Sequence, residues 1–170
     1  MSKNADSSTR GFFPAVVGKD LAGRSFLLPA ELPSDRTIAV VAFRQGQQSQ
    51  VDDWIKALAS RGICDSPVDQ RADEPVVIEI PVLPAKYAVV RRFIDGGMAS
   101  SIKVPRVLAR TITIYGQVNQ FRQSLDLPTI ENVSVICVDR SGRIFWKNTG
   151  SVTEQACDSL QAAIQKETGS

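Results

Sequence analysis

The chain reads as an α/β domain, a three-layer sandwich whose mixed central sheet carries helices on both faces. Three observations predict it. Apolar, β-rich runs alternate with segments of helical periodicity through the middle of the chain. Near the end, an Asp139-Arg-Ser-Gly142 turn joins two apolar runs, the strongest hairpin signal present, which adds antiparallel pairing to the sheet. A last segment after that hairpin places its apolar residues on one helical face.

The elements follow in order. Residues 1–10 are small, polar and aperiodic, and read as a disordered start. Phe12 to Leu28 reads as a short strand or hairpin turning at Gly23. Thr37 to Phe43 (TIAVVAF) is a strand buried on both faces. Gln48 to Ala59 is a helix, because Val51, Trp54, Ile55 and Leu58 share one face, and Gly62 stops it. Residues 65–75 are a polar loop. Pro75 to Leu83 is a second buried strand, with Pro81 marking a bulge or its end. Pro84 to Ile94 reads as a helix that begins at its proline and ends at Gly96-Gly97. Thr111 to Tyr115 is a strand, and Gly116 to Leu125 is a short helix with Val118, Phe121 and Leu125 inward. Val133 to Val138 and Arg143 to Lys147 are the two arms of the hairpin. Ser151 and Glu154 read as a capping box opening the final helix, with Ala156, Leu160, Ala163 and Ile164 on its inner face. The domain is expected to span residues 11–166, with residues 167–170 frayed.

Composition removes several function classes. The 20 basic and 18 acidic residues leave a formal charge of +2, which argues for neither a nucleic-acid nor an anionic-membrane partner. The chain has no histidine, so Ser–His–Asp, Cys–His and His-based zinc sites are excluded. Its three cysteines, Cys64, Cys137 and Cys157, include no Cys-x-x-Cys pair. That sparse, odd count suits an intracellular reducing compartment, cytoplasmic or peripheral to a membrane in a bacterial protein, and no disulfide is expected. No apolar run reaches the roughly 20 residues of a membrane span. The opening MSKNADSSTR matches neither a signal peptide nor an Arg-rich transit peptide. A mitochondrial location would require a presequence already removed.

The element order, ending in strand–DRSG–strand–helix, resembles the thioredoxin and peroxiredoxin superfamily. The opening FPAVVGKDLAGRSFLL is similar to the hairpin before the first core strand of the peroxiredoxin branch. Further pieces resemble the mitochondrial ATP-synthase assembly-factor family, which chaperones a membrane-embedded proton-channel subunit, and its bacterial relatives. These are Ala42-Phe43-Arg44 with Val51, Asp52 and Trp54; Tyr115-Gly116 with Phe121-Arg122 and Leu125; and Val138-Asp139, Gly142-Arg143-Ile144, Trp146, Gly150, Glu154 and Leu160. The resemblance covers roughly residues 12–165. It implies a thioredoxin-like sandwich and, from the second set of pieces, a protein partner such as an ATP-synthase membrane subunit.

The resemblance also locates a missing chemistry. A thioredoxin site needs a thiolate at a helix N-terminus, where the macrodipole lowers its pKa. The matching loop, Arg44 to Gln50, holds no cysteine. Ser49 is its only hydroxyl, has no base to activate it, and reads as a helix N-cap. The cis-proline of such sites would fall near Val133, but the nearest proline is Pro128, so a trans bond is expected there. Cys137 reads as a core residue, Cys157 as half-buried and Cys64 as the candidate for exposure.

The function expected is therefore binding without catalysis, with no cofactor and no metal. The candidate partner-binding residues are Arg44, Gln47, Gln48 and Ser49 in the degenerate loop, the Arg91-Arg92 pair, and Trp146, since either it or Phe145 should face outward on its strand. Arg106 and Arg110 join the arginine cluster, which reads more simply as a solvated face paired with carboxylates. Gly96-Gly97 lacks the Gly-Lys-Ser/Thr of a phosphate loop, and Asp52-Asp53 lack the partner an acid–base pair needs. The alternatives are a divergent thiol peroxidase using Cys64 and a purely structural subunit.

Overall fold

The computed structural model describes residues 11–87 and 105–169. Its elements are β1 (Val16–Asp20), β2 (Ser25–Leu28), β3 (Thr37–Ala42), α1 (Gln48–Ser60), β4 (Val76–Pro84), α2 (Pro105–Arg110), β5 (Ile112–Gly116), α3 (Val118–Ser124), β6 (Ser134–Val138), β7 (Ile144–Thr149) and α4 (Glu154–Thr168). They form one seven-stranded sheet in the order β2-β1-β5-β4-β3-β6-β7. The central strands β3, β4 and β5 run parallel, and the outer pairings are antiparallel. All six residues of β3 are buried, as a strand covered on both faces requires.

Alternation along the strands divides the core in two. On one face Ala39, Val41, Ile78, Ile80 and Ile136 pack under α3 through Phe121 and Leu125. On the other, Ile38, Val40, Val77 and Val135 meet Val51, Trp54 and Leu58 of α1 and Leu160 and Ile164 of α4. The Trp54 indole N–H donates to the Gly150 carbonyl at 2.9 Å, and its ring meets Trp146 edge-on at 6.4 Å. The Asp139–Gly142 turn closes with the Gly142 N–H on the Asp139 carbonyl. Gly142 has φ +93°, and a Cβ there would stand 3.0 Å from the Phe13 carbonyl oxygen, so both conformation and space call for glycine.

Local expectations fail where tertiary contacts override them. β4 does not end at Pro81: that residue stands opposite Ala42, the last residue of β3, and the strand runs on to Pro84 beside β5. At the end of a ladder the missing N–H costs least. Pro84 therefore closes a strand instead of opening a helix, and a 3-10 turn, Ala85–Tyr87, follows it. The remainder of the expected helix to Ile94 lies outside the described residues, as do residues 1–10. Helix α2, not foreseen, sets Arg106 and Arg110 beside Asp65. The last helix is capped by Thr153, whose hydroxyl accepts the Ala156 N–H at 3.0 Å, and not by Ser151. Glu154 instead reaches Arg61 at 2.5 Å. α4 continues through Thr168, where a frayed end was expected, with Glu167 paired to Arg143.

Candidate functional site

β3 delivers the chain to the N-terminus of α1 through a 3-10 turn, Gln45–Gln47. In this loop the buried Gln47 turns its amide back: Oε1 accepts from the backbone N–H of Phe43 at 2.9 Å and of Arg44 at 3.3 Å, while Nε2 donates to the Ile130 carbonyl at 2.8 Å. Gln50 Oε1 accepts the Val133 N–H at 3.2 Å, and Arg44 pairs with Glu131 at 2.7 Å. Three side chains thus clasp the loop before α1 to the segment before β6. The described residues hold one cis peptide bond, Leu28–Pro29, so the bond before Val133 is trans, as expected.

Beside this clasp a pocket of about 240 Å³ opens between α1 and α2, lined by Gln48, Asp52, Glu79, Leu83, Val107 and Arg110 among others. Glu79 is 7% exposed. Its neighbours on β4 are apolar, and alternation turns it to the α1 face of the sheet. The Thr111 hydroxyl donates to its carboxylate at 3.4 Å, and Gln48 lies beside it on the pocket wall. Burial pushes the Glu79 carboxyl above the ordinary carboxylate range; Gln48 and the Arg110 charge oppose this, and Asp52 adds to it. The folded state therefore holds this proton more tightly than the unfolded chain. The resulting stability is complete below the ordinary carboxylate pKa and is lost as pH rises through the raised value. Glu79→Gln is expected to flatten that part of the stability–pH curve, measured by urea unfolding from acid to neutral pH; an unchanged slope would contradict the assignment.

The thiols lie away from the loop and are free. Burial pushes all three upward, Cys137 far above the ordinary thiol range. Cys64 is half-buried, donates its S–H to the Ser66 carbonyl at 3.1 Å, and has Glu74 and Asp65 adding to the upward shift. Cys157, expected half-buried, is 2% exposed on the inner face of α4.

The predicted residues are therefore placed as follows. Arg44, Gln47 and Gln48 come together around the loop and the pocket. Ser49 joins them but is not the N-cap: the 3-10 turn runs straight into α1 at Gln48, which leaves Ser49 exposed in the first helical turn. Trp146 does not reach solvent, and neither does Phe145. A bulge between Cys137 and Val138 of β6 and the facing residues of β7 gives Phe145 no partner and turns it to the same face as Trp146. The Trp146 indole N–H donates to Ser159 at 2.9 Å. Arg91 and Arg92 lie outside the described residues. Arg106 pairs with Asp65 and Asp69, and Arg110 with Asp65, as a solvated charged face would. Sequence reasoning missed Gln50, Glu131 and Glu79. The last carried a signal, as the single charge in an otherwise apolar strand.

Among the described residues no group of His, Cys, Asp and Glu could hold a metal ion, and no helix is long and apolar enough to cross a membrane. No family model and no curated protein matches the chain. Solved structures do. The chain is similar to BsSco, of the Sco family of cytochrome c oxidase assembly proteins, with a TM-score of 0.56 and 11% identity over 93% of this chain and 96% of that one. It is similar to the exposed lipoprotein thioredoxin of Streptococcus pneumoniae strain TIGR4, with a TM-score of 0.53 and 8% identity over 90% and 99%. A thio-disulfide isomerase from Thermus thermophilus matches with a TM-score of 0.51 and 14% identity over 91% and 96%. The fold is thioredoxin-like.

Proposed function

We propose that this thioredoxin-like chain works by binding and not by thiol chemistry, as an assembly factor or chaperone for a subunit of a membrane complex such as ATP synthase. One observation carries the reading. The helix N-terminus that would activate a thiolate is occupied by amides, and Gln47, Gln50 and Arg44 spend their polar atoms tying that loop to residues 130–133. Such a loop presents a fixed polar surface at the end of a rigid sheet, with Gln45 and Ser49 exposed on it. The sequence pieces similar to the ATP-synthase assembly factors support the choice of client, and the free cysteines suit a reducing compartment.

The test is co-purification in mild detergent from the native source. ATP-synthase membrane subunits are expected with the wild type. They should fall about tenfold, equivalent to about 1.4 kcal/mol of affinity, with the folded double variant Gln45→Arg, Ser49→Arg. Equal recovery with both would remove the reading. The competing peroxidase at Cys64 needs a thiolate near neutral pH, and burial works against it. Thiol labelling against pH is expected to find no thiolate below the free-cysteine value of about 8.5. A lower one that disappears in Cys64→Ser, together with peroxide turnover, would establish the enzyme instead.

A further inference from the structure

The pocket beside the clasp has a composition that the loop alone does not explain. Its walls include the apolar Leu21, Ala42, Pro81, Leu83 and Val107, while two carboxylates, Glu79 and Asp52, stand on it from β4 and α1. Gln48 stands beside both on the lining and donates to Asp52 Oδ1 at 3.0 Å. The cations on the pocket lining form their ion pairs elsewhere, although the Arg110 charge is felt at Glu79. Arg44 pairs with Glu131 at 2.7 Å, and Arg110 faces Asp65 at 3.6 Å. Asp65 and Asp69 are in turn shared with Arg106. When these pairs are set against each other, the Glu79 and Asp52 carboxyl groups remain with no ion-pair partner among the described residues.

We propose that this pocket receives a lysine side chain of a protein partner, a reading that rests on the binding function proposed above and specifies the chemistry of the same site. An alkyl stem suits the apolar walls, and an ammonium carries the three donors that two carboxylates can accept. A divalent cation would satisfy the carboxylates but would leave the apolar wall without a partner.

The probe is Nα-acetyl-lysine N-methylamide, titrated into the 15N-labelled protein in mildly alkaline buffer and followed by amide shifts. Saturable shifts are expected at Ala42, Gln48, Thr111 and Val107, and at least tenfold weaker binding in Glu79→Gln and in Asp52→Asn. The norleucine analogue, which keeps the stem and loses the charge, should not bind. Absence of shifts at the pocket, equal binding by the norleucine analogue, or undiminished binding by both carboxylate variants would overturn the proposal. The two readings fail separately. A silent pocket with ATP-synthase subunits still captured removes only the lysine, whereas lysine binding without that capture removes the client named above.

Discussion

Trp54→Ala is expected to lower folding stability by about 3–5 kcal/mol, the range for truncating a fully buried aromatic side chain. Trp54 has no exposed surface and lies where α1, β7 and the turn before α4 converge. Truncation removes the indole area, the edge contact with Trp146 and the 2.9 Å bond to Gly150, whose carbonyl is then left without that donor. Trp54→Phe separates these contributions, because it keeps most of the packing and loses the bond. Its expected cost is smaller, at about 1–2 kcal/mol. Urea unfolding followed by far-UV circular dichroism measures both, since fluorescence would change with the residue itself. A loss under about 1 kcal/mol for the alanine variant would mean that α1 is held by other contacts.

Gln47→Ala is expected to cost about 2–3 kcal/mol, because it strands the polar groups of Phe43, Arg44 and Ile130 at a buried position. The effect should be local before it is global. Amide exchange at Phe43, Arg44 and the first turn of α1 should accelerate well beyond the rest of β3, since a loop with few bonds left opens independently of the sheet. Gln47→Glu is the informative companion. It keeps both acceptor bonds but loses the donor to Ile130, whose carbonyl then faces a carboxylate. Destabilisation comparable to the alanine variant would show that the link to residues 130–133 carries most of the effect. If Gln47→Ala unfolds like wild type and its amides exchange at the wild-type rate, the loop is not clasped and the fixed surface proposed for partner binding has no support.

The two cases differ in how far the sequence exposes them. The burial of Trp54 follows from its place with Val51, Ile55 and Leu58 on one helical face, and periodicity alone reads that. The role of Gln47 does not follow from any local pattern. Its partners Phe43 and Arg44 are near in sequence, but Ile130 is distant, and a glutamine in a polar loop looks like its neighbours. Ser49 shows the same limit from the other side. It has the chemistry of an N-cap, yet the preceding 3-10 turn begins the helix at Gln48 and leaves it nothing to cap. Strict alternation along β7 would turn either Trp146 or Phe145 outward, and the bulge breaks that alternation.

By itself, the sequence determined the α/β class, the position of most strands and helices, and the absence of a thiol at the head of α1. Hydrophobic period, turn chemistry and residue identity are local properties written directly in the chain. Tertiary structure alone decided the sheet order, the capping of α4 by Thr153, the clasp across Gln47, Gln50 and Arg44, and the pocket that gathers Glu79, Asp52 and Arg110 from three elements. Each of these depends on groups far apart in sequence, whose hydrogen bonds and charges acquire direction only when the sheet brings them within a few ångströms.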